Sequence, residues 1–125
     1  MRANPLDAYR NVEKVTLSQR DIEANVLTKA AMQLQSIKDN WSCDDHDTQL
    51  EDALNYNQRL WTFFQAELSV EENPLPSEIK RNILALSLFV DRRTFEVLAY
   101  PDPDKLDVLI SINLNVAEGL RSEGG

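Results

Sequence analysis

The chain has 125 residues but only three glycines, and the first 118 residues contain none. Average usage is about 7% glycine. Phosphate-binding loops and dinucleotide-binding motifs need glycine where the backbone approaches a ligand closely, so the sequence excludes both. Tight hairpins also favour glycine at positive φ, which makes a sheet built from several of them a poor fit. The length predicts one domain over residues 1–125.

The charge and cysteine content exclude further classes of function. The formal net charge is −8, which disfavours general affinity for nucleic acid or anionic membranes. A single cysteine, Cys43, excludes an intramolecular disulfide and a thiolate zinc site. No apolar run approaches the ~18 residues of a membrane span, and the N-terminus lacks the apolar segment of a signal peptide. These features predict a cytoplasmic protein without membrane insertion.

The first elements in the chain are a short helix and a long one. Asn4 and Pro5 are suited to begin a short N-terminal helix, with Tyr9 on its apolar side. Ser18 is the predicted N-cap of a long helix that runs to about residue 41. Its apolar residues recur with helical periodicity: Ile22, Val26, Ala30, Leu34, Ile37 and Trp41.

The second long helix follows a polar interruption at residues 42–47. Thr48 and Glu51 have the spacing of a capping box, which predicts that the helix begins at Thr48. A narrow stripe then continues at steps of three and four, as in a helix packed within a bundle. It contains Leu50, Ala53, Leu54, Asn57, Leu60, Trp61, Phe64 and Leu68.

Two proline clusters, NPLP at 73–76 and PDP at 101–103, delimit the third long helix. Residues 83–90 of this helix are apolar nearly all round. A helix of that kind is usually buried on several sides, which predicts a central position in the fold.

The last helix is expected to begin at Asp102, with Pro103 in its first turn, and to end near Gly119. One apolar stripe contains Leu106, Leu109, Ile110, Asn113, Ala117 and Leu120, and a second contains Val108, Ile112 and Val116. The predicted fold is therefore all-α: an antiparallel bundle of four long helices over residues 16–121, plus the short N-terminal helix. Residues 122–125 are expected to form a loose tail.

The residues offer little chemistry for catalysis. The one cluster with ligand types is residues 43–47 (CDDHD), and it fails the EF-hand template because position six from Asp44 is Gln49. Aspartates at the start of a helix, favoured by the helix dipole, explain the cluster more simply. His46 is the only histidine, so neither a second histidine nor a Cys/His pair is indicated for nucleophilic catalysis. The sequence predicts a non-enzymatic protein without a metal or cofactor.

Three features indicate surfaces for partners, and each has a structural alternative. Arg81 and Arg92 share a helix face and are suited to an anionic contact, or to pairing with the acidic segment 44–52. Phe63 points away from its helix stripe, so it is either covered by another helix or exposed for a partner. The second stripe of the last helix borders a groove for a partner helix, or packs on the N-terminal helix or a second copy.

Several stretches together resemble FlaF, the flagellar biosynthesis regulator of alphaproteobacteria. They occur in the same order over nearly the whole chain, and no single one is diagnostic. They are Ala8-Tyr9, residues 20–23 (RDIE), residues 59–61 (RLW), residues 73–76 (NPLP), residues 79–94 (IKRNILALSLFVDRRT), residues 109–113 (LISIN) and Gly119-Leu120.

The resemblance implies a small helical protein required for flagellin synthesis and secretion. It implies flagellin as a partner, bound as an export cargo, and FlbT as a further partner that acts on flagellin mRNA. The alternative is a post-transcriptional regulator that acts with FlbT and does not carry flagellin. Direct nucleic-acid binding is not expected, and a homodimer is a third alternative.

The surplus apolar residues and the neighbouring arginines are the candidate partner-binding residues. They are Tyr9, Phe63, Phe89, Arg92, Arg93, Ile112 and Val116.

Overall fold

The computed structural model describes residues 19–42 and 46–124, and this part of the chain is helical. Its four α-helices are α1 (Gln19–Asp39), α2 (His46–Ser69), α3 (Ser77–Ala99) and α4 (Leu106–Gly124). A 3₁₀ turn, Pro103–Lys105, leads into α4. No strand occurs in the described ranges, which confirms the prediction of an all-α fold with four long helices. None of the described helices is both long and apolar enough to cross a membrane.

The helix starts follow the predicted turn chemistry at one connection and depart from it at another. The Asp102 side chain accepts a hydrogen bond from the backbone N–H of Asp104 at 2.9 Å, with Pro103 in the first turn, as predicted. The capping box predicted at Thr48 is wrong because α2 already begins at His46. The predicted Ser18 cap and the short helix from Asn4 lie outside the described residues.

Gly119 does not end the last helix. The helix continues to Gly124, so residues 122–124 are helical rather than part of a loose tail. The Arg121 guanidinium holds the final turns against α1, because it donates hydrogen bonds to Asn25 and Thr28 at 3.1 Å each. The neighbouring Leu120 is buried. Helical backbone at Gly119 is therefore stabilised by packing beyond it, despite its low helix propensity.

Helices α1 and α4 approach each other more closely and over a greater length than any other pair. Small residues permit this approach. Ala24 and Ala31 lie one heptad apart on α1, on the side of Thr28, and both are fully buried, as is Ala117 on α4. At the opposite end from Arg121, Lys38 donates a hydrogen bond to Asp107, which raises the pKa of Lys38.

The third helix is not central, which corrects the sequence prediction. Its buried face is a single stripe: Ile83, Ser87, Val90, Thr94 and Val97. Large apolar side chains on its other faces remain exposed to solvent, among them Leu88, Phe95 and Leu98. Helix α3 packs mainly on α2 and makes few contacts with α4. Although residues 83–90 are apolar on nearly every side of α3, the other described helices bury only one of those sides.

We expect Ala31→Leu to destabilise the fold by about 1–3 kcal/mol, because three extra carbon atoms must fit between closely packed helices. Urea unfolding followed by circular dichroism measures the change. Ala66→Leu is the matched control, since Ala66 is exposed on α2. Equal stability of the two variants would contradict the close α1–α4 packing.

Candidate functional site

A buried amide network connects three of the helices. Asn113 of α4 accepts a hydrogen bond from the Trp61 indole N–H of α2 at 2.9 Å. Its Nδ2 donates to Oδ1 of Asn57 at 2.6 Å and to the Leu27 carbonyl of α1 at 3.4 Å. Asn113, Asn57 and Trp61 are fully buried. The network therefore fixes the register of α4 against α1 and α2, because a polar group in an apolar core is costly unless it is paired.

The network orients the two apolar stripes of α4. With Asn113 directed into the core, the first stripe is buried and the second is only half-buried. The second stripe contains Val108, Ile112 and Val116, and it faces the side on which α3 makes few contacts. An apolar groove lies between the two helices on that side.

The α3–α4 groove is open to solvent and has a volume of about 260 Å³. Its lining contains five apolar side chains, two small polar ones and a glycine, and none of them is charged. Helix α3 contributes Ile79, Asn82, Ile83 and Leu86, and α4 contributes Val116, Gly119, Leu120 and Ser122. Such a lining is suited to apolar side chains of a peptide or a helix and provides no group for catalysis.

Two candidate residues lie at this groove or on its side of α4. Val116 is part of the lining, and Ile112 lies one turn before it, half-buried against the core. Sequence reasoning missed the other wall of the groove, because Ile79 and Leu86 belong to the same apolar run as the buried residues of α3. It also treated Gly119 only as a helix terminator. The open space beside its α-carbon makes Gly119 part of the groove, since a Cβ there would meet nothing within 4 Å.

Phe89 and Arg93, two candidate residues of α3, form a small cluster close to the start of α4. The Arg93 guanidinium lies 5.5 Å from the centre of the Phe89 ring, a cation–π distance. Arg93 also donates to the Lys105 carbonyl at 3.4 Å and lies 3.3 Å from the Glu96 carboxylate. These contacts place Arg93 beside the turn that leads into α4.

Two further candidates, Arg92 and Phe63, do not line the groove. Arg92 lies about 100° around α3 from Arg93, on the exposed outer face. Phe63 of α2 is 53% exposed, so no described helix covers it. Tyr9 lies outside the described residues. Neither Arg81 nor Arg92 forms an ion pair within residues 46–124.

Comparison with protein families gives a match over most of the chain. The family model described as flagellar protein FlaF matches residues 5–120. The chain belongs to the FlaF family. Comparison with curated proteins and with solved structures gave no significant match. The FlaF match includes both walls of the α3–α4 groove except Ser122.

In this FlaF family member, the cluster of metal-ligand residue types in the sequence is residues 43–47. The part of the chain that the structure describes contains no group of three or more His, Cys, Asp or Glu side chains suited to hold a metal ion. Residues 43–45 lie outside that part. The His46 ring packs edge-on against the Trp41 ring, and the two ring centres are 4.0 Å apart.

We expect Asn113→Leu to lower the free energy of unfolding by about 2–4 kcal/mol, since it leaves the Trp61 N–H and the Asn57 carbonyl oxygen buried without partners. Thermal and urea unfolding measure this loss. Asn57→Leu is the matched comparison. It should cost less, because Nδ2 of Asn57 already lacks a partner and Asn113 keeps its bond to Trp61. A larger loss for Asn57→Leu would contradict the central role of Asn113.

Proposed function

We propose that this FlaF family member binds flagellin in the cytoplasm as an export chaperone, using the α3–α4 groove, and thereby supports flagellin synthesis and secretion. Family membership supports a flagellar role. The observation that carries the finer proposal is the uncharged apolar groove between two helices that make few contacts with each other.

The chemistry of the groove fits the terminal regions of flagellin, which are amphipathic helices. The apolar face of such a helix pairs with Val116 and Leu86, while its polar face stays in water. The groove walls provide few hydrogen-bonding groups, so binding is governed by burial of apolar area. A bound flagellin helix cannot join a filament, so mass action keeps the cargo unpolymerised.

The proposed arrangement behind the groove is an antiparallel bundle of four helices with the short N-terminal helix docked on it. Two contacts support opposite directions for α1 and α4. Lys38 near the end of α1 meets Asp107 near the start of α4, and Arg121 near the end of α4 meets Asn25 near the start of α1. The short connections favour opposite directions for the other consecutive helices.

Gly119 provides a direct test of the groove. Gly119→Trp adds a large side chain where a Cβ meets open space, so it fills the groove without displacing core residues. We expect this variant to weaken binding of monomeric flagellin about ten-fold or more, corresponding to the loss of one well-buried contact region. Co-elution at micromolar concentration and calorimetric titration measure the effect.

Gly119→Ala is the matched control at the same position. It should keep flagellin binding and stabilise α4 by up to about 1 kcal/mol, because alanine favours helical backbone. If the unsubstituted protein and flagellin migrate separately, the chaperone proposal fails. If they bind but Gly119→Trp has no effect, flagellin occupies another surface.

A second experiment distinguishes the alternative function with FlbT. A gel shift with the flagellin mRNA leader, with and without FlbT, tests a regulator that does not carry flagellin. The net charge of −8 argues against unaided RNA binding. A salt-sensitive complex with RNA alone, together with no flagellin binding, would favour the alternative.

A further inference from the structure

The outer face of α3 carries a regular stripe of exposed residues, here called the outer seam. Its members alternate at spacings of four and three residues, and all are exposed: Arg81, Ala85, Leu88, Arg92, Phe95 and Ala99. The buried face of α3 lies on the opposite side of the helix. The seam therefore extends over five helical turns without contact to the bundle core.

This spacing is the heptad repeat by which one helix packs on another. A sustained average of 3.5 residues keeps a stripe facing a partner helix along its whole length. Leu88 is 69% exposed and Phe95 is 70% exposed, and they occupy two successive positions of the same heptad type. These large apolar side chains are not part of the described core, and their spacing is suited to packing against a further helix.

The charges in the outer seam select the kind of partner. Arg92 lies between Leu88 and Phe95, and Arg81 lies at the start of the seam. Neither arginine has an ion-pair partner among the residues that the structure describes. Since the whole chain carries a net charge of −8, two unpaired cations in an apolar stripe are a local exception to the overall charge.

We propose that the outer seam binds an acidic amphipathic helix of a partner protein. The partner places apolar side chains against Leu88 and Phe95 and a carboxylate against Arg92. A charged residue at one core position of a helix pair fixes register and partner choice, because an unmatched charge there is costly.

A second copy of this chain fits the seam less well than an acidic helix. The seam contains two arginines and no carboxylate, so two copies would bring four guanidinium groups into one interface. The nearby Glu96 is already engaged by Arg93 at 3.3 Å. Charge complementarity therefore favours a different, acidic helix.

The outer seam is separate from the α3–α4 groove. Leu86, which lines the groove, and Leu88, which lies in the seam, are two residues apart and thus about 160° apart around the helix. One helix therefore presents two binding surfaces on opposite sides. The seam proposal does not depend on flagellin binding in the groove.

Two labelled synthetic helical peptides test the seam with the full chain. Each carries leucine at its heptad core positions except one central position, which is glutamate in one peptide and lysine in the other. Fluorescence anisotropy should show at least about ten-fold tighter binding of the glutamate peptide. This preference opposes the net charge of the protein, so it reports the local arginines. Arg92→Glu should reverse it, and Leu88→Ser should weaken binding of both peptides.

Two control variants separate the seam from other apolar surface. Met32→Ser removes an exposed apolar side chain from α1 and should leave peptide binding unchanged. Gly119→Trp blocks the groove and should also leave it unchanged. Circular dichroism should show intact helices in Leu88→Ser, because this side chain is exposed, and Phe95→Ser repeats the test at the second apolar position.

Three results would overturn the proposal. The first is equal affinity for the glutamate and lysine peptides. The second is a loss with Met32→Ser or Gly119→Trp that equals the loss with Leu88→Ser. The third is a dimer in light scattering that Leu88→Ser converts to a monomer, which would make a second copy the occupant.

Discussion

The close packing of α1 against α4 is the constraint on which the other features of this fold depend. Buried alanines allow the two backbones to approach, and Lys38 and Arg121 tie opposite ends of the pair. Because α4 uses its first apolar stripe for this contact, its second stripe is left toward α3. The amide network around Asn113 fixes that orientation, since rotating α4 would bury unpaired polar groups.

The groove follows from an imbalance in packing. Helix α3 is held mainly by α2, so its contact with α4 is slight and the space between them is incompletely filled. The space that remains is a surface groove of about 260 Å³ with an apolar lining, which is typical of sites that bind apolar groups. The proposed flagellin site and the fold thus have a common physical origin.

The peripheral position of α3 also explains why its apolar residues are so numerous. One stripe packs on the bundle, one wall borders the groove, and the outer seam faces solvent with two arginines among its apolar residues. A helix with apolar residues on three faces has the same composition whether all three faces are buried or only one is. This is why residues 83–90 suggested a central helix and the structure places α3 at the side.

The sequence by itself determined the helical class, the four long helices and the chemistry of the Asp102 turn. These features depend on residues that are close together in the sequence, through local periodicity, proline positions and the near absence of glycine. It also identified Val116 as surplus to one stripe, because a bundle helix needs only a single apolar face.

The tertiary structure alone decided which surplus residues are buried, which line the groove and which remain exposed. Val116 lines the groove whereas Phe63 and Phe95 remain exposed, and only the position of neighbouring helices distinguishes these surplus apolar residues. The pairing of Asn113 with Trp61 and Asn57 joins residues more than 50 positions apart in sequence, and no local pattern encodes it. The glycines show the same division. Their absence from the first 118 residues excluded whole classes of fold, whereas the helical backbone of Gly119 depends on packing with α1.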